Sequence, residues 1–112
     1  MPKKKDLEEI FIKELKKKHL GYIGRVFDMG EVVILADYMF GDTMVIFMDK
    51  TDELKTHKLN TFKTLFPKYD ILLVTKNPAL FLKQKWFSEI YDGKSFDELI
   101  KKLKRVLNKK TL

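Results

Sequence analysis

The chain predicts an α/β domain with a mixed β-sheet packed between helices. Three observations predict it. Three β-rich runs follow one another at residues 21–27, 31–39 and 44–50, separated by Gly- and Asp-containing turns. Residues 69–75 (YDILLVT) form an almost unbroken apolar run directly after a helical stretch. Such a run reads as a buried strand reached by a right-handed crossover, and therefore parallel to an earlier strand. Apolar residues also recur at helical spacing over residues 6–19 and 52–66 and from Ser95 onward. The order is helix, three antiparallel strands, helix, parallel strand, then a C-terminal amphipathic helix. That makes a three-layer αβββαβ core within a single domain spanning residues 1–112.

Each element has a local cause. Asp6 caps the first helix with Glu9 as reciprocal partner, and Leu7, Ile10, Phe11 and Leu15 form its inward stripe. The strand at 21–27 turns at Asp28-Met29-Gly30, where Gly30 is free to take positive φ. The next two strands form a hairpin about Gly41-Asp42. A two-residue turn there sets Phe40 opposite Thr43, Leu35 opposite Met48 and Val33 opposite Lys50. Strand alternation then puts Glu31, Val33, Leu35, Asp37, Met44, Ile46, Met48 and Lys50 on one face. Val32, Ile34, Ala36, Tyr38, Val45, Phe47 and Asp49 take the other. Glu31 and Lys50 meet at one end of this ribbon. Thr51 or Asp52 opens the second helix and Pro67 ends it. Asn77-Pro78 starts a helix over 79–87, Tyr91-Asp92-Gly93 turns, and Ser95 with Glu98 makes a capping box for the last helix.

Composition narrows the function classes. The chain has no cysteine, which excludes disulfide scaffolds and thiolate zinc sites and suits a reducing cytoplasm. No secretory signal and no membrane-length apolar stretch is visible. Abundant Lys, with one Gln and three Asn, gives a thermophile-like bias that AT-rich coding also produces. The net charge is +7, which attracts polyanions in a salt-sensitive way. Candidate phosphate-contacting residues are Lys16, Lys17, Lys18, Lys55, Lys58, Lys101, Lys104 and Arg105 on outer helix faces. Lys16, Lys17 and Lys18 also suit a helix C-terminus, a structural role that competes with phosphate binding.

Gly30-Glu31, Met48-Asp49-Lys50 and the stretch TDELKTHKLNTFKTLFPKYDILLVTK, taken with the element order, resemble the PD-(D/E)xK, or restriction-endonuclease-like, superfamily. That superfamily includes Holliday junction resolvases. The resemblance covers roughly residues 6–75. It implies a restriction-endonuclease-like fold and a DNA partner gripped by its backbone. It further implies either a Mg²⁺-dependent endonuclease or a relative without catalysis. Glu31 stands where the family has Asp, and Lys50 where it has its lysine. Met48 replaces the acidic ligand, and a thioether is a poor ligand for hard Mg²⁺. The implied catalytic set is Lys50, Glu31 and Asp49, with Glu31 and Asp49 as the metal ligands. Asp28, Glu9 and Glu14 are further carboxylates able to complete it.

Other residues have plainer readings. Asp37, mid-hairpin among apolar neighbours, must pair with a cation or meet solvent at a sheet edge. His19 and His57 lack a nucleophile or ligand spacing. Tyr22, Tyr38 and Phe40 offer rings for base stacking, though strand aromatics commonly pack in a core. A second class remains open, a protein-interaction module that dimerises through the terminal helix and residues 79–87. A small inhibitor- or toxin-like basic protein is a third.

Overall fold

The computed structural model describes residues 7–110. The predicted cap at Asp6 lies outside the described residues. One five-stranded sheet runs in the order β1-β2-β3-β4-β5, comprising β1 (Ile23–Asp28), β2 (Val33–Phe40), β3 (Thr43–Phe47), β4 (Asp70–Val74) and β5 (Glu89–Tyr91). The first three strands are antiparallel, and β3, β4 and β5 are parallel. Helices α1 (Leu7–Lys17) and α3 (Phe96–Lys110) cover one face. Helix α2 (Glu53–Leu65) covers the other. Mixed α/β character and the predicted strand order through β4 are therefore present.

Each face has its own core. On the α1/α3 side, Phe11 and Leu15 reach down one helical turn apart onto Tyr38, Phe40, Val45, Leu72 and Val74, beside Leu99, Ile100 and Leu103. On the α2 side, Leu59 and Phe62 pack on Phe27, Ile34, Met44, Ile46, Ile71 and Leu73. Strand β4 contributes to both, with every residue after Asp70 buried, which explains its unbroken apolar run. Asp52 caps α2 by accepting from the Lys55 backbone N–H at 3.0 Å.

Four expectations need correction. Residues 79–87 are not an α-helix. Pro78–Phe81 makes a single 3₁₀ turn. The chain then lies beside β4, with Ser88 N–H donating to the Ile71 carbonyl at 2.7 Å. Phe81 and Trp86 are buried, five residues apart, which is not a helical stripe. The capping box before α3 is Asp92/Ser95 rather than Ser95/Glu98. The Asp92 carboxylate accepts from the Ser95 N–H at 3.1 Å, and the Ser95 hydroxyl accepts from the Asp92 N–H at 3.0 Å. The apolar stripe of α3 is consumed by the core, so it is not a free dimer face.

The fourth correction concerns the hairpin. Its turn is as predicted, with Phe40 opposite Thr43, Tyr38 opposite Val45, and Gly41 at φ 64. Beyond Val45 the pairing stops. Leu35 does not face Met48, and Val33 does not face Lys50. The cause is a β-bulge. Ile23 pairs with Met39 but Arg25 with Ala36, so Gly24 alone opposes Asp37 and Tyr38. The extra residue inverts the alternation. Ile34 and Ala36 join Met44, Ile46 and Met48 in the α2-side core, while Tyr38 joins Val45 in the other.

Candidate functional site

Where β2 and β3 part, a cleft of about 390 Å³ opens against α2. Val33, Ile34, Leu35 and Asp37 of β2, Ile46 of β3, and Asp52, Leu54, Lys55, Lys58 and Leu59 line it. Lys55 and Lys58 are three residues apart on α2, so their side chains project from one helix face into the same space. A smaller adjoining hollow of about 170 Å³ continues toward α1. There Asp37 and Lys55 are joined by Glu8 from the first turn of α1.

The bulge explains why Asp37 is exposed amid apolar neighbours, since it turns that carboxylate out of both cores. Glu8 is held by the Tyr38 hydroxyl, which donates to its Oε2 at 2.5 Å. Burial, then this hydrogen bond to the carboxylate, pushes the Tyr38 phenol well above the usual tyrosine range. The phenol therefore stays protonated and acts as a fixed donor. What converges is three carboxylates, Asp37, Asp52 and Glu8, and two ammonium groups, Lys55 and Lys58, around the cleft and its adjoining hollow.

The sequence-predicted set does not assemble in this way. Glu31 lies exposed in the turn before β2, and Lys50 lies exposed after β3. The strand pairing that was to bring them together is absent. Met48 is in the α2-side core, which accounts for its apolar side chain. The Asp49 carboxylate accepts from the Lys76 N–H at 2.9 Å and lies 3.8 Å from the Lys76 ammonium. The Asp49 carbonyl accepts from Asn77 Nδ2 at 3.0 Å. Asp49 thus ties β3 to the loop after β4. Asp49 is engaged by Lys76 and Asn77, and the strand pairing does not carry it to Glu31. Among the described residues no three Asp, Glu or His side chains converge as a metal-ligand group.

The basic residues divide between the two layers. Lys55 and Lys58 belong to the α2 side, whereas Lys16, Lys17, Lys101, Lys104 and Arg105 ride on α1 and α3, and Lys18 follows the end of α1. Lys17 and Lys18 pair with Glu14 at 3.9 and 3.6 Å, so that cluster is partly neutralised. Arg105 borders a groove with Glu89 and Glu98. The sequence pattern marks Lys55, Lys58 and Asp37 as polar groups near the hairpin and places Glu8 only on the outer face of the first helix. The available signal for Glu8 was weak, an acid in the first turn of a helix, which the helix dipole alone explains. No family model, curated protein or solved structure matches this chain.

Proposed function

We propose that this protein binds nucleic acid through the phosphate backbone, on a scaffold of the restriction-endonuclease-like kind, and that the cleft between β2 and β3 is the contact point. The observation that carries the reading is the pair Lys55 and Lys58 at the cleft where the hairpin splits. Two ammonium groups one turn apart match successive backbone phosphates in chemistry and require no base contact. The +7 charge supports a polyanionic partner. The topology supports the kinship in fold, because β4 lies inside the sheet and parallel to β3, after a helix that follows a three-stranded meander. Among the described residues no group of three Asp, Glu or His side chains is placed as a metal-ligand set, and no cleavage step is assigned.

The test is fluorescence anisotropy with labelled duplex, branched and single-stranded DNA, and with RNA of the same sequence, over a salt series. Binding should weaken linearly in log–log form as salt rises. The Lys55→Ala/Lys58→Ala double variant should flatten the duplex slope by about 1.8, from about 0.9 per lost phosphate contact. Absence of binding at low salt, or an unchanged slope in the double variant, refutes the proposal. Nicking assays with Mg²⁺ and Mn²⁺ on the same substrates should give no product. Cleavage that Asp37→Asn or Glu8→Gln abolishes would replace binding with catalysis at this same cleft.

A further inference from the structure

Among the described residues, strand β1 is an edge of the sheet and pairs with β2 alone. Edge strands are commonly blunted by charge, proline or cover. Here the exposed face is apolar. Val26 is 58% exposed and its cross-strand partner Leu35 is 67% exposed, with Val33 beside them at 43%. They alternate with the inward Phe27 and Ile34, so they lie on the α1/α3 side of the sheet, where Val33 and Leu35 also border the cleft. The one cation of the strand does not guard the edge. The Arg25 guanidinium lies 4.6 Å from the Phe27 ring centre and donates to the Tyr69 hydroxyl at 3.0 Å. It is folded back onto the α2 side.

We propose that β1 pairs antiparallel with β1 of a second copy of this chain, about a dyad through Val26. Charge selects this occupant and this register. Most of the molecule repels a copy of itself at +7, but the segment Ile23–Asp28 carries one Arg and one Asp and is neutral. Directly opposed residues in an antiparallel pair share a face, so a symmetric pairing must centre on a residue. Centring on Arg25 opposes two guanidinium groups. Centring on Phe27 sets each Asp28 carboxylate against Val26. Centring on Val26 opposes Val26 to itself, Arg25 to Phe27 and Gly24 to Asp28. It aligns Leu35, Val26 and their two symmetry mates in one apolar row across four strands. The two five-stranded sheets become one, and the edge disappears. This inference does not depend on what the cleft binds.

The chain has no cysteine, which makes the test direct. Opposed residues in such a pair have Cα atoms about 4.5–5.5 Å apart, within disulfide range. Val26→Cys should oxidise rapidly to a covalent dimer. Leu82→Cys, at the still more exposed position (75%) in the loop before β5, should not. The wild-type protein should sediment at twice the chain mass at roughly 100 μM, above the micromolar Kd expected of a small interface. Val26→Lys should halve that mass with an unchanged circular dichroism spectrum. Added salt should strengthen the dimer, opposite to its effect on polyanion binding. A monomeric wild-type chain at that concentration, or crosslinking of Val26→Cys no faster than of Leu82→Cys, overturns the proposal.

Discussion

Replacing Phe11 with Ala tests how the α1/α3 layer is held. Phe11 and Leu15 are the only residues of α1 that are buried. The Phe11 ring is 0% exposed and meets Tyr38 and Phe47 edge-on at centroid distances of 5.3 and 5.2 Å. It also meets Phe40 and Phe96, each at 6.1 Å. A buried Phe→Ala change costs about 3–5 kcal/mol. Four ring partners place this one in the upper part of that range, about 4–5 kcal/mol, because each aromatic pair adds roughly 0.5–1.5 kcal/mol beyond area burial. A chain of this length has a total stability of only about 6–17 kcal/mol. With a urea m-value near 1.5 kcal/mol/M, the midpoint should fall by about 3 M at constant m. Ile10→Ala, on the same helix but 39% exposed, should move it by less than about 0.7 M by the same conversion. The assay is urea unfolding followed by circular dichroism. A Phe11→Ala midpoint shift under about 1 M would mean that α1 is not docked through this ring, and that Glu8 is not carried to the cleft by it.

Other outcomes follow from single contacts. His19 holds φ 57 just past the end of α1, where a Cβ is strained, so His19→Gly should stabilise by about 0.5–1 kcal/mol and raise Tm by roughly 2–4 °C in calorimetry. Burial and the carboxylates of Glu8 and Glu89 raise the phenol pKa values of Tyr38 and Tyr91 above the unfolded value of 10.0. The folded state then binds more protons, so this contribution is intact below pH 10 and is lost as pH rises above it. Urea midpoints of wild type should therefore fall more steeply above pH 10 than those of Tyr38→Phe. Asp49→Ala removes the acceptor for the Lys76 N–H and should cost about 1 kcal/mol in urea unfolding. It should leave the salt slope of nucleic-acid binding unchanged, because that carboxylate serves the β3–β4 connection.

Elements with a strong local cause were legible in the sequence. Helix α2 begins at its Asp52 cap and ends just before Pro67, and β4 is the apolar run that a strand buried on both faces requires. Strand β5 was not legible. Three residues, Glu89–Tyr91, carry no periodicity, and they are a strand only because β4 offers its second edge. The short turn at Pro78–Phe81 was overread for a related reason, since Asn77-Pro78 signals a helical start but says nothing of its length. Glu8 was out of reach because its neighbours in space, Asp37 and Tyr38, lie some thirty residues away, and only the docking of Phe11 joins them.

The bulge at Asp37 and Tyr38 links these points. Counting outward from Gly41-Asp42 gives the right partners for Phe40, Met39 and Tyr38 and the wrong ones for everything beyond. One inserted residue inverts which face each side chain takes, so Ile34 and Ala36 join Met44 and Ile46, where Val33 and Leu35 were expected, and Val33 and Leu35 emerge. On the other side of β2 it is where pairing with β3 stops, since β3 stays in step with β4 while β2 stays in step with β1. The gap left behind is the cleft, and the residue inserted is the carboxylate that lines it. Glu31 and Lys50 sit farthest from the turn, so their expected meeting rested on the longest run of assumed pairs, a run that breaks just beyond Tyr38 and Val45. The same inversion bares Leu35 beside Val26. A single irregularity in β2 thus opens the candidate cleft toward β3 and exposes the apolar row toward the β1 edge.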